Sequence, residues 1–485
     1  MSPKLRFAPS PTGNLHIGSV RTAIFNWVWA QSLNATLVLR IEDTDLQRST
    51  KAFEENILEG LDWLGIHFDE GPSQPNGDML YRQSERIAAN VYQPLIDQLV
   101  ASGHAYHCFE TDEELDQERK EADAKGIAYM YSRKSLQLSS DDVTQRLENG
   151  DPYTIRFKVP DNEMITMNDV VRGEIQFESK LISDFIIVKS DGNPTYNLAV
   201  VIDDIDMGIT HVVRGEDHIS NTPKQIMIFE ALGKAVPVFA HLPIILGEDR
   251  SKLSKRHGAK SVSEYKEDGF LPEALINYLS LLGWSPPDEK ELLSVSELMS
   301  LFDVSRINKA GAVFDTVKLT WMNKQYLAKK TDSEFIELAT PFITNSEILN
   351  DSMHQQKVLS VRDNVEVLSR INHYLEVYYQ TDDEFNEKVS QLTFNETDIA
   401  VVQAAVNQFG QLSEWSSEAV STLIDTVMAD QSLGKGKVMK PFRKAFSGYE
   451  SGPNLVDCLA LIPFELIQKR AASIIETYAN SSASA

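Results

Sequence analysis

Apolar runs and helical periodicity alternate along the early chain. Leu5–Ala8 is a short apolar-rich run broken by Pro9, Pro11 and Gly13, and from about Gly18 the residues Val20, Ile24, Trp27 and Val28 recur on one helical face. The pattern predicts strand, turn, helix. Thr36–Ile41 is continuous in the way of a strand buried in a parallel sheet, and it ends at Glu42-Asp43-Thr44-Asp45. Phe53, Ile57, Leu58, Leu61 and Leu64 then mark a helix face, stopped by Gly65. Between Arg82 and Asn197 the character shifts: helical stretches at Ile87–Leu99 and Thr111–Lys125 precede strand signals at Thr154–Val159, Ile175–Glu178 and Asp184–Lys189. The sheet pattern resumes with Tyr196–Ile202 and Ile209–Arg214, and Asn221-Thr222-Pro223 reads as an N-cap with proline in the first turn of a helix. After an amphipathic run at Leu271–Leu282 the chain from 331 onward reads as helical, with Val361–Tyr378, Asp398–Phe409 and Leu455–Glu476 as examples.

At 485 residues the chain is too long for one hydrophobic core and implies several domains. With 42% hydrophobic and 24% charged residues it has an ordinary soluble composition. It shows no charged-then-apolar leader and no bilayer-length apolar run, and two cysteines cannot build a disulfide framework. The expectation is a cytoplasmic protein with no membrane association. Its formal charge of −25 argues, taken alone, against a nucleic-acid partner. Exposed charges beyond a Debye length of about 8 Å are screened, however, so a basic stripe can survive on an acidic protein.

Local chemistry changes that picture. The strand–turn–helix puts His16 and unpaired backbone N–H groups at a helix N-terminus, where donors and dipole favour a phosphate. No G-x-G-x-x-G or lysine-ending phosphate loop is present there. Far downstream, after the apolar run Leu242–Leu246 and the loop Gly247-Glu-Asp-Arg250, comes the charged Lys252-Leu-Ser-Lys-Arg256. A lone histidine after a turn is usually a surface residue, and such a loop is usually just solvated. Taken together, the two stretches resemble the HIGH and KMSKS motifs of class I aminoacyl-tRNA synthetases, with Ser19 and Arg256 departing at the last position of each. FAPSPTG, RIEDTD (Arg40–Asp45), DEGP (Asp69–Pro72), YRQSER (Tyr81–Arg86) and FDTVKLTWMNKQYL (Phe314–Leu327) sharpen the resemblance to bacterial-type glutamyl-tRNA synthetase over nearly the whole chain.

The resemblance implies an α/β fold: a class I Rossmann-like nucleotide-binding domain (1–85 and 198–237), split by an α+β insertion (86–197) that holds the tRNA acceptor end. A stem-contact domain (238–330) would carry the KLSKR loop, and an all-α anticodon-binding region (331–485) would divide near 405. It implies L-glutamate activation by ATP with Mg²⁺, then transfer to tRNA(Glu), tRNA(Gln) remaining open, by a monomer. His16, Lys252 and Lys255 would be catalytic, being donors able to reach a triphosphate without any protein nucleophile. Thr12, His16, Gly18, Asp217, Ile245, Lys252 and Lys255 would bind ATP. Arg6 and Arg214 match the arginines that hold the side-chain carboxylate, and Ser10, Glu42 and Tyr196 match groups around the substrate backbone and ammonium. A plainer reading of Arg6 is an ion pair with an acid such as Glu42. Val200 stands where some members have asparagine.

Some members carry zinc in the insertion, but His107-Cys108-Phe109-Glu110 supplies one thiol and Tyr129–Arg133 none, so no zinc is expected. In the C-terminal region Gly434-Lys-Gly-Lys437, Lys440, Arg443 and Lys444 form a basic island. Lys437, Arg443 and the more loosely matched Arg370 are its tRNA-contact candidates. Glutaminyl-tRNA synthetase is the nearest rival, yet that family ends in β-barrels. A truncated paralogue lacks the helical C-terminal region, and a silent tRNA-binding relative need not keep His16, Lys252 and Lys255.

Overall fold

The opening strand, turn and helix form as the apolar spacing requires. Strand β1 (Lys4–Phe7) leads through the proline-rich turn into helix α1 (Ile17–Ser32), whose N-cap is His16: its ring accepts the Ser19 N–H at 3.2 Å. The computed structural model of the protein describes residues 2–45, 47–258 and 260–483, with all their side chains except those of Lys255 and residues 480–483. β1 pairs in parallel with β2 (Thr36–Leu39), Arg6 opposite Val38. Thr50 caps helix α2 (Lys51–Trp63), and Gly65, at φ +68°, turns the chain out of it.

Four further strands complete the main sheet: β3 (Met164–Asp169), β4 (Gly173–Glu178), β5 (His211–Gly215) and β6 (Val238–Leu242), in the order β2-β1-β5-β6-β3-β4. β1, β2, β5 and β6 run parallel, and β3–β4 is an antiparallel hairpin added in parallel to the β6 edge. Helices α3 (Tyr196–Asp206) and α4 (Thr222–Ala231) pack on this sheet. A separate antiparallel sheet joins Ala105–Cys108, Thr154–Phe157 and Phe185–Val188.

The chain forms two compact units, Met1–Glu264 with Leu275–Asp315, and Tyr265–Ala274 with Thr316–Ala485. Among its described residues the second unit contains helices and turns but no strand. No helix among the described residues is long and apolar enough to cross a membrane.

Several elements differ from the sequence pattern. Tyr196–Ile202 is helical, the start of α3. Its residues Leu198–Asp204 are all buried, and a helix enclosed on every side shows the same unbroken apolar run as a buried strand. β3, absent from the expected strands, alternates cleanly between exposed and buried positions. Ile87–Leu99 is two helices, separated around Asn90 at φ +57°. Asn221 makes no side-chain cap, because a 3-10 turn (Glu216–Asn221) runs directly into α4. Val361–Tyr378 contains two 3-10 turns before a helix at Ile371–Tyr379, since Val365 and Val367 are extended. Leu455–Glu476 breaks into Leu455–Ala460 and a helix beginning at Phe464, just after Pro463.

Within the second unit the segment 265–274 is clamped by backbone contact. Leu368 N–H donates to the Gly269 carbonyl at 3.2 Å, and Asn323, fully buried, accepts the Leu271 N–H at 2.8 Å while donating to the Glu366 carbonyl at 2.7 Å. Gly269 sits at φ +79°, and a Cβ there would lie 2.5 Å from Leu368 Cβ and 2.8 Å from its backbone nitrogen. Both the strained φ and the overlap act against a side chain. Gly269→Ala is therefore expected to destabilise this unit by about 2–4 kcal/mol in chemical denaturation. A midpoint shift no larger than that of an ordinary surface substitution would show that the clamp yields freely.

Candidate active site

The carboxyl ends of β1, β2, β5 and β6 open on one cleft of about 870 Å³, the position where open α/β sheets bind their ligands. Arg6, Ser10, Thr12, His16, Gly18, Glu42, Tyr196, Arg214, Asp217, Ile245 and Lys252 all line it. Every glutamate and ATP candidate from the sequence is thus on its wall except Lys255, whose side chain lies outside the described residues.

At one end α1 aims its N-terminus into the cleft. His16 Nδ1 accepts the Ser19 N–H, so in the neutral ring Nε2 carries the hydrogen, and it meets Ser19 Oγ at 3.1 Å. Enclosure by the cleft walls, and then Lys252, lower the His16 pKa from its ordinary value, which favours this neutral donor. A Cβ on Gly18 would stand 3.1 Å from the His16 ring. Lys252 is largely exposed and reaches Asp217 at 3.3 Å.

At the other end the charges are buried. Arg6 Nε pairs with Asp204 Oδ1 at 3.2 Å, not with Glu42. Arg40 bridges the two acids: its NH1 meets Asp204 at 2.6 Å and its NH2 meets Glu42 at 3.0 Å. Asp203, the neighbour of Asp204 on α3, takes Arg86 Nε and Gln83 Nε2, each at 2.7 Å. Burial works against the Asp204 carboxylate, but Arg6 and Arg40 outweigh it and hold its pKa below the usual range. Burial instead pushes Glu42 up, in spite of Arg40 and Arg6.

Arg214 is treated differently. Its Nε donates to His241 Nε2 at 3.1 Å and its NH2 to Thr222 Oγ1 at 2.9 Å, both neutral partners. Its NH1 is buried without any hydrogen-bond partner, and no carboxylate among the described residues pairs with it. An arginine on a cleft wall with one terminal nitrogen unanswered fits an anion, and a carboxylate in particular.

Sequence reasoning missed His218, whose Nδ1 lies 3.0 Å from Tyr196 Oη, and His241 and Thr222 behind Arg214. The signal for His241 was a polar residue inside the apolar strand Val238–Leu242. Val200 is buried in α3.

Other candidates lie elsewhere. Cys108 is buried, its thiol donating to Glu110 at 2.8 Å and accepting from Arg156 Nε at 3.2 Å, with Tyr131 Oη 3.3 Å away. Among the described residues no group of three His, Cys, Asp or Glu could hold a metal ion. Arg370 is exposed, with Glu366 at 3.8 Å, and Lys437 is exposed on the helix Lys435–Ser447. Arg443 on the same helix is half-buried and donates to the Pro453 carbonyl at 2.8 Å; Lys444 pairs with Asp398 at 2.6 Å. Those two hold local structure.

Residues 4–321 match the model of the class I tRNA synthetases (E and Q), catalytic domain, and residues 334–475 match an anticodon binding domain. The chain belongs to the class I (E and Q) tRNA synthetases. It is 45% identical to the glutamate–tRNA ligase of Aquifex aeolicus (strain VF5), over 98% of each chain. It is 44% identical to that of Sulfurihydrogenibium sp. (strain YO3AOP1), over 98% of this chain and 99% of the other. Among solved structures, a glutamate tRNA ligase from Elizabethkingia meningosepticum CCUG26117, in complex with its amino acid, superposes with a TM-score of 0.88 at 34% identity, over 98% of this chain and 100% of that one.

For this synthetase the buried carboxylates set a stability requirement. Asp204→Asn would leave two buried guanidinium groups short of an anion, and should cost about 3–5 kcal/mol in urea denaturation at neutral pH. Because the folded pKa of Asp204 lies below the unfolded value, its contribution is complete above pH ~4 and is lost as pH falls towards the folded pKa. The stability gap between wild type and variant should therefore narrow in acid. A gap that widened there would mean that Asp204 is not the ionised partner.

Proposed function

We propose that this chain is a glutamate–tRNA ligase that converts L-glutamate and ATP to glutamyl-adenylate and pyrophosphate, then transfers glutamate to the 3′-terminal adenosine of tRNA(Glu). The observation that carries the reading is the unpartnered, buried NH1 of Arg214 on the wall of a cleft whose other end is a helix N-terminus with His16. One end suits a side-chain carboxylate and the other a phosphate. The names of the relatives support the same substrate.

In the first step a glutamate α-carboxylate oxygen attacks the ATP α-phosphorus, and the bond to the pyrophosphate oxygen breaks. No protein nucleophile is needed. The chain's own part is positioning, and donors aimed at charge gathering on phosphate oxygens. His16 offers Nε2–H, now resting on Ser19 Oγ, and the first turn of α1 offers its N–H groups. Lys252, exposed at the rim, and Lys255 on the same loop are assigned to the triphosphate. Thr12, Gly18, Asp217 and Ile245 are assigned to the rest of ATP. Arg6 and Arg214 are assigned to the side-chain carboxylate, and Ser10, Glu42 and Tyr196 to the backbone end, where an ammonium would answer the buried Glu42. In the second step a terminal ribose hydroxyl attacks the carbonyl carbon and AMP leaves.

Magnesium is expected with the ATP. The described residues build no cage for it, so phosphate oxygens and water would supply its ligands, as that ion ordinarily prefers. No step is assigned to zinc.

Residues 86–197 are read as the acceptor-end insertion between the catalytic segments 1–85 and 198–237. Residues 238–330 are read as the stem-contact domain, and 331–485 as two anticodon-binding subdomains. The lysines at 435 and 437 sit in the first turn of a helix, where the dipole disfavours cations. A nearby anion such as tRNA phosphate gives them a reason to be there. A cytoplasmic monomer is the accompanying reading, and charging assays on purified tRNA(Glu) and tRNA(Gln) decide the tRNA range.

His16→Ala and Lys252→Ala are expected to slow tRNA-dependent pyrophosphate exchange by ~10²–10³, while glutamate binding changes little. Exchange at the wild-type rate would remove that residue from the catalytic set. Lys437→Ala should weaken tRNA binding and lower the slope of log affinity against log salt by about one unit. An unchanged affinity and slope would leave the basic island as solvated surface.

A further inference from the structure

Behind Arg214 lies a line of buried groups, Asp169 and His241, that does not line the cleft. Asp169, at the end of β3, meets His241 Nδ1 at 2.6 Å, and His241 Nε2 meets Arg214 Nε at 3.1 Å. Asp169 and His241 are both fully enclosed, with 0% side-chain exposure. Adjacent strands create the line: Arg214 and His241 are register partners on β5 and β6, and Asp169 pairs with Phe239 across the next interface.

The donors allow one arrangement. Arg214 Nε can only donate, so His241 Nε2 must be a bare acceptor. Asp169 Oδ2 at Nδ1 can only accept when ionised, so Nδ1 must carry the hydrogen. Asp169 is held as an anion by further donors, since its Oδ1 also takes the N–H groups of Val171 and Arg172 and its Oδ2 the N–H of His241. Thr222 completes the frame. It accepts Arg214 NH2 at 2.9 Å, and its own hydroxyl is within reach of two acceptors, the His218 carbonyl at 3.2 Å and the bare His241 Nε2 at 3.1 Å. A protonated or Nε2–H ring would point a donor at a donor and turn Arg214 aside.

We propose that Asp169 and His241 are positioning residues for amino-acid specificity: Asp169 fixes the Nδ1–H form of a neutral His241, whose Nε2 aims the free NH1 of Arg214 at the substrate side-chain carboxylate. This inference rests on the glutamate reading above. Burial lowers the His241 pKa in spite of Asp169, and Arg214 and Arg172 push it the same way. The remaining titratable neighbour is His218, held low at about 4. Neutral partners leave the full charge of Arg214 for the ligand. The Asp169–His241 contact also ties the β3–β4 hairpin to the pocket that selects the amino acid.

The test combines kinetics with spectroscopy on the full chain. His241→Phe keeps a ring of similar shape but removes the acceptor, leaving Arg214 Nε–H unpaired. It should raise KM for glutamate about ten- to a hundredfold and lower the preference for glutamate over glutamine by a similar factor. KM for ATP and kcat at saturating glutamate should change little. His241→Gln, which can return an acceptor oxygen near the Nε2 position, should recover most of the loss. A folded His241→Phe enzyme with wild-type KM and preference would overturn the proposal. So would equal losses towards ATP and glutamate, the mark of a merely structural role. Should His241→Phe not fold, nitrogen NMR of ¹⁵N-histidine-labelled wild type decides. A protonated Nδ1 with a bare Nε2 at pH 7 supports the relay, and a hydrogen on Nε2 refutes it. A wild-type enzyme that fails to charge glutamate would instead refute the ligase reading.

Discussion

A guanidinium group taken out of water must be answered on the spot, and this requirement organises the catalytic unit. Arg6, Arg40 and Arg86 are almost wholly buried, and the anions that meet them are Asp203, Asp204, Glu42 and the more exposed Asp206. Removing one member of such a set costs several kcal/mol, because it strands a charge. The set spans β1, the end of β2, the segment after Tyr81, and α3. Two consecutive aspartates near the end of α3 thereby fix the helix against the sheet, and its first residue, Tyr196, falls on the cleft wall about 12 Å back along the axis. The same pairing gives Arg6 and Glu42 direct partners other than each other, Asp204 and Arg40. Both remain available at the cleft, each steadied from behind.

How much of this was legible in the chain followed from how local its cause was. The β1–turn–α1 unit depends on prolines, a glycine and a helical apolar stripe within one short stretch, and it reads directly. So does β2, whose unbroken apolar run has one sensible home in a parallel sheet. Tyr196–Ile202 did not read correctly, because helix and strand look alike when every face is buried. The proximity of Arg214 to His241, and of His241 to Asp169, is set by the register of three strands far apart in sequence. Nothing local encodes that. Arg6 and Arg214 were identifiable only through resemblance, and the finding that their partners differ required coordinates. The basic island shows the converse limit. Composition grouped Lys437, Arg443 and Lys444 together, whereas packing divides them into one exposed lysine and two side chains engaged with Pro453 and Asp398.

The net charge of −25 is compatible with a polyanionic partner once charge is considered by place. Many of the acids cap helices. Glu114, Glu334, Glu384 and Asp398 each close a capping box, accepting N–H groups in a first turn where negative charge is favourable. Glu114, Glu334 and Glu384 are exposed to water, and salt screens them within about 8 Å. The cleft arginines Arg6 and Arg214 are enclosed, and low-dielectric surroundings extend their influence over a ligand placed beside them. Global composition therefore says little about what this surface attracts at any one point.

On the proposed assignment of Arg6 and Arg214 to the side-chain carboxylate, the contrast between the two arginines gives one pocket a means both to hold glutamate and to reject glutamine. If both were ion-paired, the pocket would be nearly neutral, and an amide would be almost as welcome as a carboxylate. If neither were, two uncompensated buried charges would face each other in the empty protein, at a high desolvation cost. Here Arg6 is balanced by Asp204, and Arg214 has only dipoles: a histidine nitrogen and a threonine hydroxyl. The empty pocket thus leaves one guanidinium charge without a carboxylate in contact, tolerable to the fold and directed at one place. A carboxylate cancels it. An amide cannot, and its NH₂ meets groups that can only donate, which is the situation in which polar discrimination far exceeds what size alone achieves. On this view the choice of neutral partners behind Arg214 matters as much for selectivity as the arginine itself.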